Sequence, residues 1–161
     1  MPLEPEFIAA FISTVSNAAE QLLTMSDADA SVARAPGKWS RKEIVGHLID
    51  SAANNHARFV KAQATDHLLF DGYDQDAWVR VQRYNEQSWV DLVELWRAYN
   101  LHLAKVMGSA DRAASDRPRT RHNLDQVAFV RISRDRPATL TDFMRDYVAH
   151  LEHHVRQAVD P

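Results

Sequence analysis

Apolar residues recur at steps of three and four through four long segments of this chain, a period that suits helices and not strands. In the first segment Ile8, Phe11, Val15, Ala18 and Leu22 form one stripe, predicting a helix over residues 5–25. The second opens on Ser40 with Glu43 three positions on, the capping-box spacing that satisfies free N–H groups of a first turn. It runs to residue 64 with Ile44, His47, Leu48, Ser51, Asn55 and Phe59 on one face. Ser88 is the expected cap of the third, whose face is Leu92, Leu95, Trp96, Tyr99, Leu103 and Val106 and whose end is near Gly108. The fourth starts between residues 139 and 141 and reaches 158, with Phe143, Tyr147, His150, His154 and Ala158 aligned.

With only four glycines and little strand-like alternation, the chain of 161 residues reads as a single all-α domain, a four-helix bundle spanning residues 1–161. Two connections are long. One holds the Asp71-Gly72 turn and a short helix carrying Trp78 and Val81; the other, residues 109–139, holds seven arginines and four aspartates, with a short strand expected at 127–132. Such crossovers predict a topology other than simple up-down-up-down.

The formal charge of −3 disfavours bulk nucleic-acid binding, which needs clustered Lys and Arg. No stretch approaches the roughly 18 uninterrupted apolar residues of a membrane span. The start, "MPLEPEFIAAFIS", lacks the basic and long apolar regions of a secretory signal, so a cytoplasmic location is expected. There is no cysteine, so any metal must be held by nitrogen and oxygen.

Histidines supply the nitrogen. His150 and His154, four apart, project from one helical face in adjacent turns, the spacing by which two imidazoles share an ion. His47, inward on the second helix, is the best-placed third ligand. The competing reading is that inward histidines are hydrogen-bonded core residues. His153 falls on a wetter flank, His102 lies beside Tyr99 outside the trio, and His56, His67 and His122 follow no pattern. A zincin-type peptidase is excluded because Leu151 stands where H-E-x-x-H needs its glutamate, and Glu152 lies about 200° round the helix. A general base would come from another helix; Asp50, one turn after His47, is the first candidate, with orientation of a ligand histidine as its alternative role. Among Trp39, Trp78, Trp89 and Trp96, at least Trp96 is expected in the core. The arginine-rich connection is either a solvated loop with internal ion pairs or a mouth for an anionic substrate.

The block W-S-x-x-E-x-x-x-H-L-x-D at residues 39–50 and H-x-x-H-H-x-x-Q at residues 150–157, with "FDGYDQDAWVRVQRYNEQSW" between them, resemble the DinB/YfiT-like superfamily of bacterial four-helix-bundle metalloenzymes. The resemblance implies a divalent metal, zinc or nickel first and iron or manganese next, on His47, His150 and His154. It also implies a homodimer and a small-molecule substrate, by hydrolysis or by transfer to a low-molecular-weight thiol such as bacillithiol or mycothiol. A non-catalytic dimerising bundle with a structural or vestigial metal site is the alternative. Arg156 stands where relatives often carry glycine, which implies a narrower or more positive pocket.

Overall fold

The computed structural model describes residues 3–160. Four long helices, α1 (Pro5–Leu22), α3 (Arg41–Ala62), α5 (Trp89–Gly108) and α8 (Leu140–Val159), form the bundle, and shorter ones punctuate the connections. These are α2 (Asp27–Ala30), α4 (Gln75–Gln82), a 3-10 turn (Tyr84–Glu86), α6 (Arg112–Asp116) and α7 (Leu124–Val127). α5 packs on α1 and α3, and α8 packs on the same two, so the consecutive long helices α1 and α3 sit diagonally across the bundle. The expected non-sequential topology therefore holds, with one crossing made by residues 23–40, not one of the two connections expected to be long, and the other by residues 109–139.

The helix starts follow local chemistry. Ser40 Oγ accepts from Glu43 N while Glu43 Oε2 accepts from Ser40 N at 2.8 Å. Thr139 and Asp142 make the same reciprocal pair at the start of α8, and Ser88 caps α5. The ends of α1 and α3 come earlier than the period predicts. α1 stops at Leu22 because Thr24 Oγ1 turns back onto Gln21 O and Ser26 immediately caps α2. α3 stops at Ala62, whose carbonyl accepts from Arg119 Nη2 at 3.0 Å, while Thr65 O accepts from Arg119 Nε. A buried guanidinium thus satisfies carbonyls that the helix leaves open.

No strand occurs among the described residues. The segment 127–132 leaves α7 as irregular chain, because Asp146 captures the Phe129 and Val130 amides that a ladder would use. The two long connections are joined instead by an isolated bridge of Leu68 with His122, and the second is folded on itself by one of Arg119 with Ala138. No helix is long and apolar enough to cross a membrane among the described residues.

The core runs through Phe11, Leu48, Phe59, Leu92, Trp96, Leu103, Phe143 and Leu151. Trp96 is fully buried, as is Trp89, whereas Trp78 is exposed and Trp39 half-buried. Leu95, expected inside, faces solvent, and the buried face of α5 passes through Asn100. Asn100 tolerates the core because its amide donates to Trp96 O and its Oδ1 accepts from Tyr147 Oη on α8.

Candidate metal centre

The elements just described bring His47 from α3 and His150 and His154 from α8 together. Their ring centroids stand 4.6 to 5.1 Å apart, and one ligand atom from each lies within 4.8 Å of the others. His47 Nε2 and His150 Nε2 are 3.2 Å apart. Two nitrogens at the usual 2.0–2.1 Å from one tetrahedral ion stand about 3.3 Å apart, so the spacing suits a shared ion. His47 is buried; His150 and His154 are half-buried at the edge of the apolar face of α8, which itself passes through Met144, Tyr147, Leu151 and Val155.

The second nitrogen of each ring shows which atom faces the centre. His154 Nδ1 lies 2.9 Å from Gln157 Oε1, an acceptor, so Nδ1 carries the proton and Nε2 is free. The Gln157 amide nitrogen then donates to His153 Nε2 at 3.2 Å, which gives His153 a place in the outer layer. His150 Nδ1 faces Ser51 Oγ at 3.5 Å. His47 Nδ1 is buried with no hydrogen-bond partner among the described residues.

Burial holds these imidazoles neutral. His47 is lowered to about 4 by desolvation and then by the neighbouring His154, and His150 to about 3 by desolvation and then by His154, His47 and His153. His154 is also lowered, mainly by burial, against a Gln157 bond that favours its charged form. Neutral imidazoles are the ligand form, so at pH 7 all three can bind a cation without first losing a proton. Three such nitrogens leave coordination positions for water or substrate.

A cavity of about 220 Å³ opens beside His47 and His150, walled by Ser51, Asn55, Arg58, Tyr73, Phe129 and Asp146 among others. Asp146 lies one turn before His150; burial raises its carboxyl pKa against the lowering effect of the Val130 and Phe129 amides. The Phe129 ring covers His150 and His153 at centroid distances of 5.4 and 5.3 Å, and Trp39 flanks His47 at 5.0 Å.

Asp50 is placed differently. Its Oδ1 accepts from Tyr84 Oη at 2.6 Å and from Gln82 Nε2 at 2.8 Å, and it is not a wall of the cavity beside His150. Its Oδ2 is buried and has no hydrogen-bond partner among the described residues. Tyr84 reaches it because Gly46, one turn earlier, has no side chain: a methyl there would overlap the Tyr84 ring.

Arg156 is exposed, two positions and so about 200° round α8 from His154, and the narrower or more positive pocket expected from it does not arise. None of the arginines in 109–139 lines the cavity. Arg134 pairs with Asp125 inside the connection, Arg117 reaches out to Asp66 and Arg119 caps α3, so the connection forms no anionic mouth at this cavity. His102 is exposed beside His56, their rings 5.0 Å apart, away from the trio.

Sequence reasoning passed over Gln157, Asp146 and Arg58. Gln157 is the last letter of H-x-x-H-H-x-x-Q, Asp146 precedes His150 by four, and Arg58 follows Asn55 by three, so helical spacing could have found each. Phe129, on a loop, carried no local signal.

The family model described as the DinB superfamily matches residues 12–158. A search of curated proteins finds no significant match. Among solved structures, YfiT from Bacillus subtilis is similar to this chain, with a TM-score of 0.70 and 18% identity over 94% of this chain and 83% of that one. YfiT is described as a probable metal-dependent hydrolase with an unusual four-helix bundle topology. At that identity the likeness is one of fold.

Proposed function

The chain belongs to the DinB superfamily, and on that premise we propose that it is a metal-dependent hydrolase in which His47, His150 and His154 hold a divalent ion, zinc or nickel before iron or manganese. The observation that carries the reading is the 3.2 Å approach of His47 Nε2 to His150 Nε2 within a set of neutral, half-buried to buried imidazoles. With the sequence resemblance, the reading extends to a cytoplasmic homodimer acting on a small molecule.

A metal in this position supplies Lewis acidity and a bound water acidified towards about pH 7. The chain's own residues do the rest. Gln157 and Ser51 hold the two α8 imidazoles with their Nε2 atoms inward. Phe129 and Trp39 cover the rings. Asp146, on the cavity wall with a raised pKa, is placed to take a proton from an attacking group and return it to a leaving one. Asp50, one turn after His47, is the second candidate base, although it lies off the cavity wall and accepts from Tyr84 and Gln82.

The test is metal content by mass spectrometry on untagged protein, for the wild type, His150→Ala and His154→Ala. About one equivalent of divalent metal in the wild type, lost in both variants together with ester hydrolysis, is the expected result. No metal in the wild type, or metal kept in both variants, sinks the proposal and leaves a packing cluster in a non-catalytic bundle. Turnover that appears only when a low-molecular-weight thiol is added would move the assignment from hydrolase to thiol transferase. Asp146→Asn and Asp50→Asn then identify the base: the variant that keeps its metal but loses about a hundredfold or more in kcat is the one.

A further inference from the structure

We infer that the cavity beside the three histidines has a second, anion-binding end, and that Arg58 there takes a carboxylate of the substrate. The inference rests on the metal-site reading only for what happens at the other end of the cavity.

His47, Ser51, Asn55 and Arg58 follow one another on α3 at steps of four, four and three, so one helical face runs from the histidine cluster to the guanidinium. All four line the cavity. Their Cα atoms span about 16 Å at 1.5 Å per residue, and an Arg side chain leans back towards the helix start, shortening the gap to the imidazoles. Polar groups mark the whole path. Ser51 Oγ faces His150 Nδ1 and accepts from Asn55 Nδ2 at 3.3 Å, and Asn55 Oδ1 accepts from Arg58 Nη1 at 3.4 Å.

Arg58 is 9% exposed, and among the described residues no carboxylate oxygen lies within 4.0 Å of it. Its hydrogen-bond partners are neutral, Asn55 Oδ1 and the Asp71 carbonyl, which accepts from Nη2, while the Asp71 carboxylate favours the charged form from beyond ion-pair distance. The Phe70 and Tyr73 rings sit 5.7 and 5.9 Å from its central carbon. A guanidinium has five N–H donors, so these two bonds leave about three of them for a ligand. Withdrawing a cation from water with neutral hydrogen-bond partners and only the more distant Asp71 charge to offset it is costly, and a bidentate carboxylate would offset that cost with well-formed geometry. The cavity's carboxylate, Asp146, belongs to the other end, one turn before His150, and both its oxygens already accept backbone amides. The volume of about 220 Å³ is below that of drug-sized pockets, which points to a small acid carrying its reactive group a few bonds from the carboxylate.

Succinate, with its uncharged diamide as control, tests this on the full-length chain after chelation, so that no metal competes for the carboxylate. In the wild type, succinate is expected to shift the Arg58 Nε–H resonance saturably and the diamide is not. Affinity should fall about tenfold or more in Arg58→Gln, recover in part in Arg58→Lys, and be kept in His154→Ala, which loses the metal site alone. Succinate binding that leaves the Arg58 resonance unmoved, equal binding by Arg58→Gln, or no saturable binding at all would overturn the inference. Should Arg58→Gln fail to fold, the wild-type resonance decides. Failure of the metal reading would show separately, as wild-type protein without metal and unchanged succinate binding.

Discussion

Gln157 shows how much a single side chain determines here. Its Oε1 fixes the His154 tautomer, and its amide nitrogen engages His153, so one residue orients two imidazoles. Replacing it by Leu leaves the three candidate ligand histidines in place but frees the His154 ring, and on the proposed site zinc affinity should drop about ten- to a hundredfold in a chelator competition titration. Gln157→Glu, which keeps an acceptor at the same reach, should restore most of it; an unchanged affinity in Gln157→Leu would remove the orienting role. At this scale the clustering of the three histidines was legible because H-x-x-x-H and an inward His47 are statements about helical faces. The partners of Asp50 were not, since Tyr84 and Gln82 approach from a connection whose path no local pattern describes.

For the helices, caps were the most readable feature, because a cap is a contact between residues three apart. Ser40 does more than close its own box: its hydroxyl also donates to Asn85 Oδ1 at 2.6 Å, pinning the start of α3 to the segment that carries Tyr84. Ser40→Ala should therefore cost about 1–2 kcal/mol in urea denaturation, at the upper end for a cap, and Ser40→Asp should recover the intrahelical part. A loss of a few tenths of a kcal/mol or less would mean that the Asn85 bond contributes nothing. The element ends and the face of α5 were less legible. α3 ends where a guanidinium from residue 119 reaches its carbonyls, and α5 turns Asn100 inward and Leu95 outward because Tyr147 on α8 supplies a partner.

The molecule as a whole couples its stability to pH through the buried trio. In metal-free protein His47 and His150 titrate near 4 and 3, whereas the unfolded chain takes up those protons near 6.5. The unfolded state binds more protons in that window, so stability is complete above about pH 6.5 and is lost as pH falls towards 4 and 3. Urea midpoints at pH 7 and 4.5 should show a loss of at least about 1 kcal/mol for the wild type, and a smaller one for His150→Ala. Equal losses in both would show that carboxylates elsewhere dominate the acid response. The sequence alone determined the helical class, the caps and the three candidate ligands, because each follows from spacing along one chain and the 3.6-residue period, and it pointed only to a topology other than simple up-down-up-down. Only the tertiary structure decided that Arg58 and Asp146 face the same cavity as those ligands, that Arg156 faces solvent, and that Asp50 meets Tyr84. Those outcomes depend on which helix packs against which and on where the long connections cross, and such contacts join residues far apart in the chain.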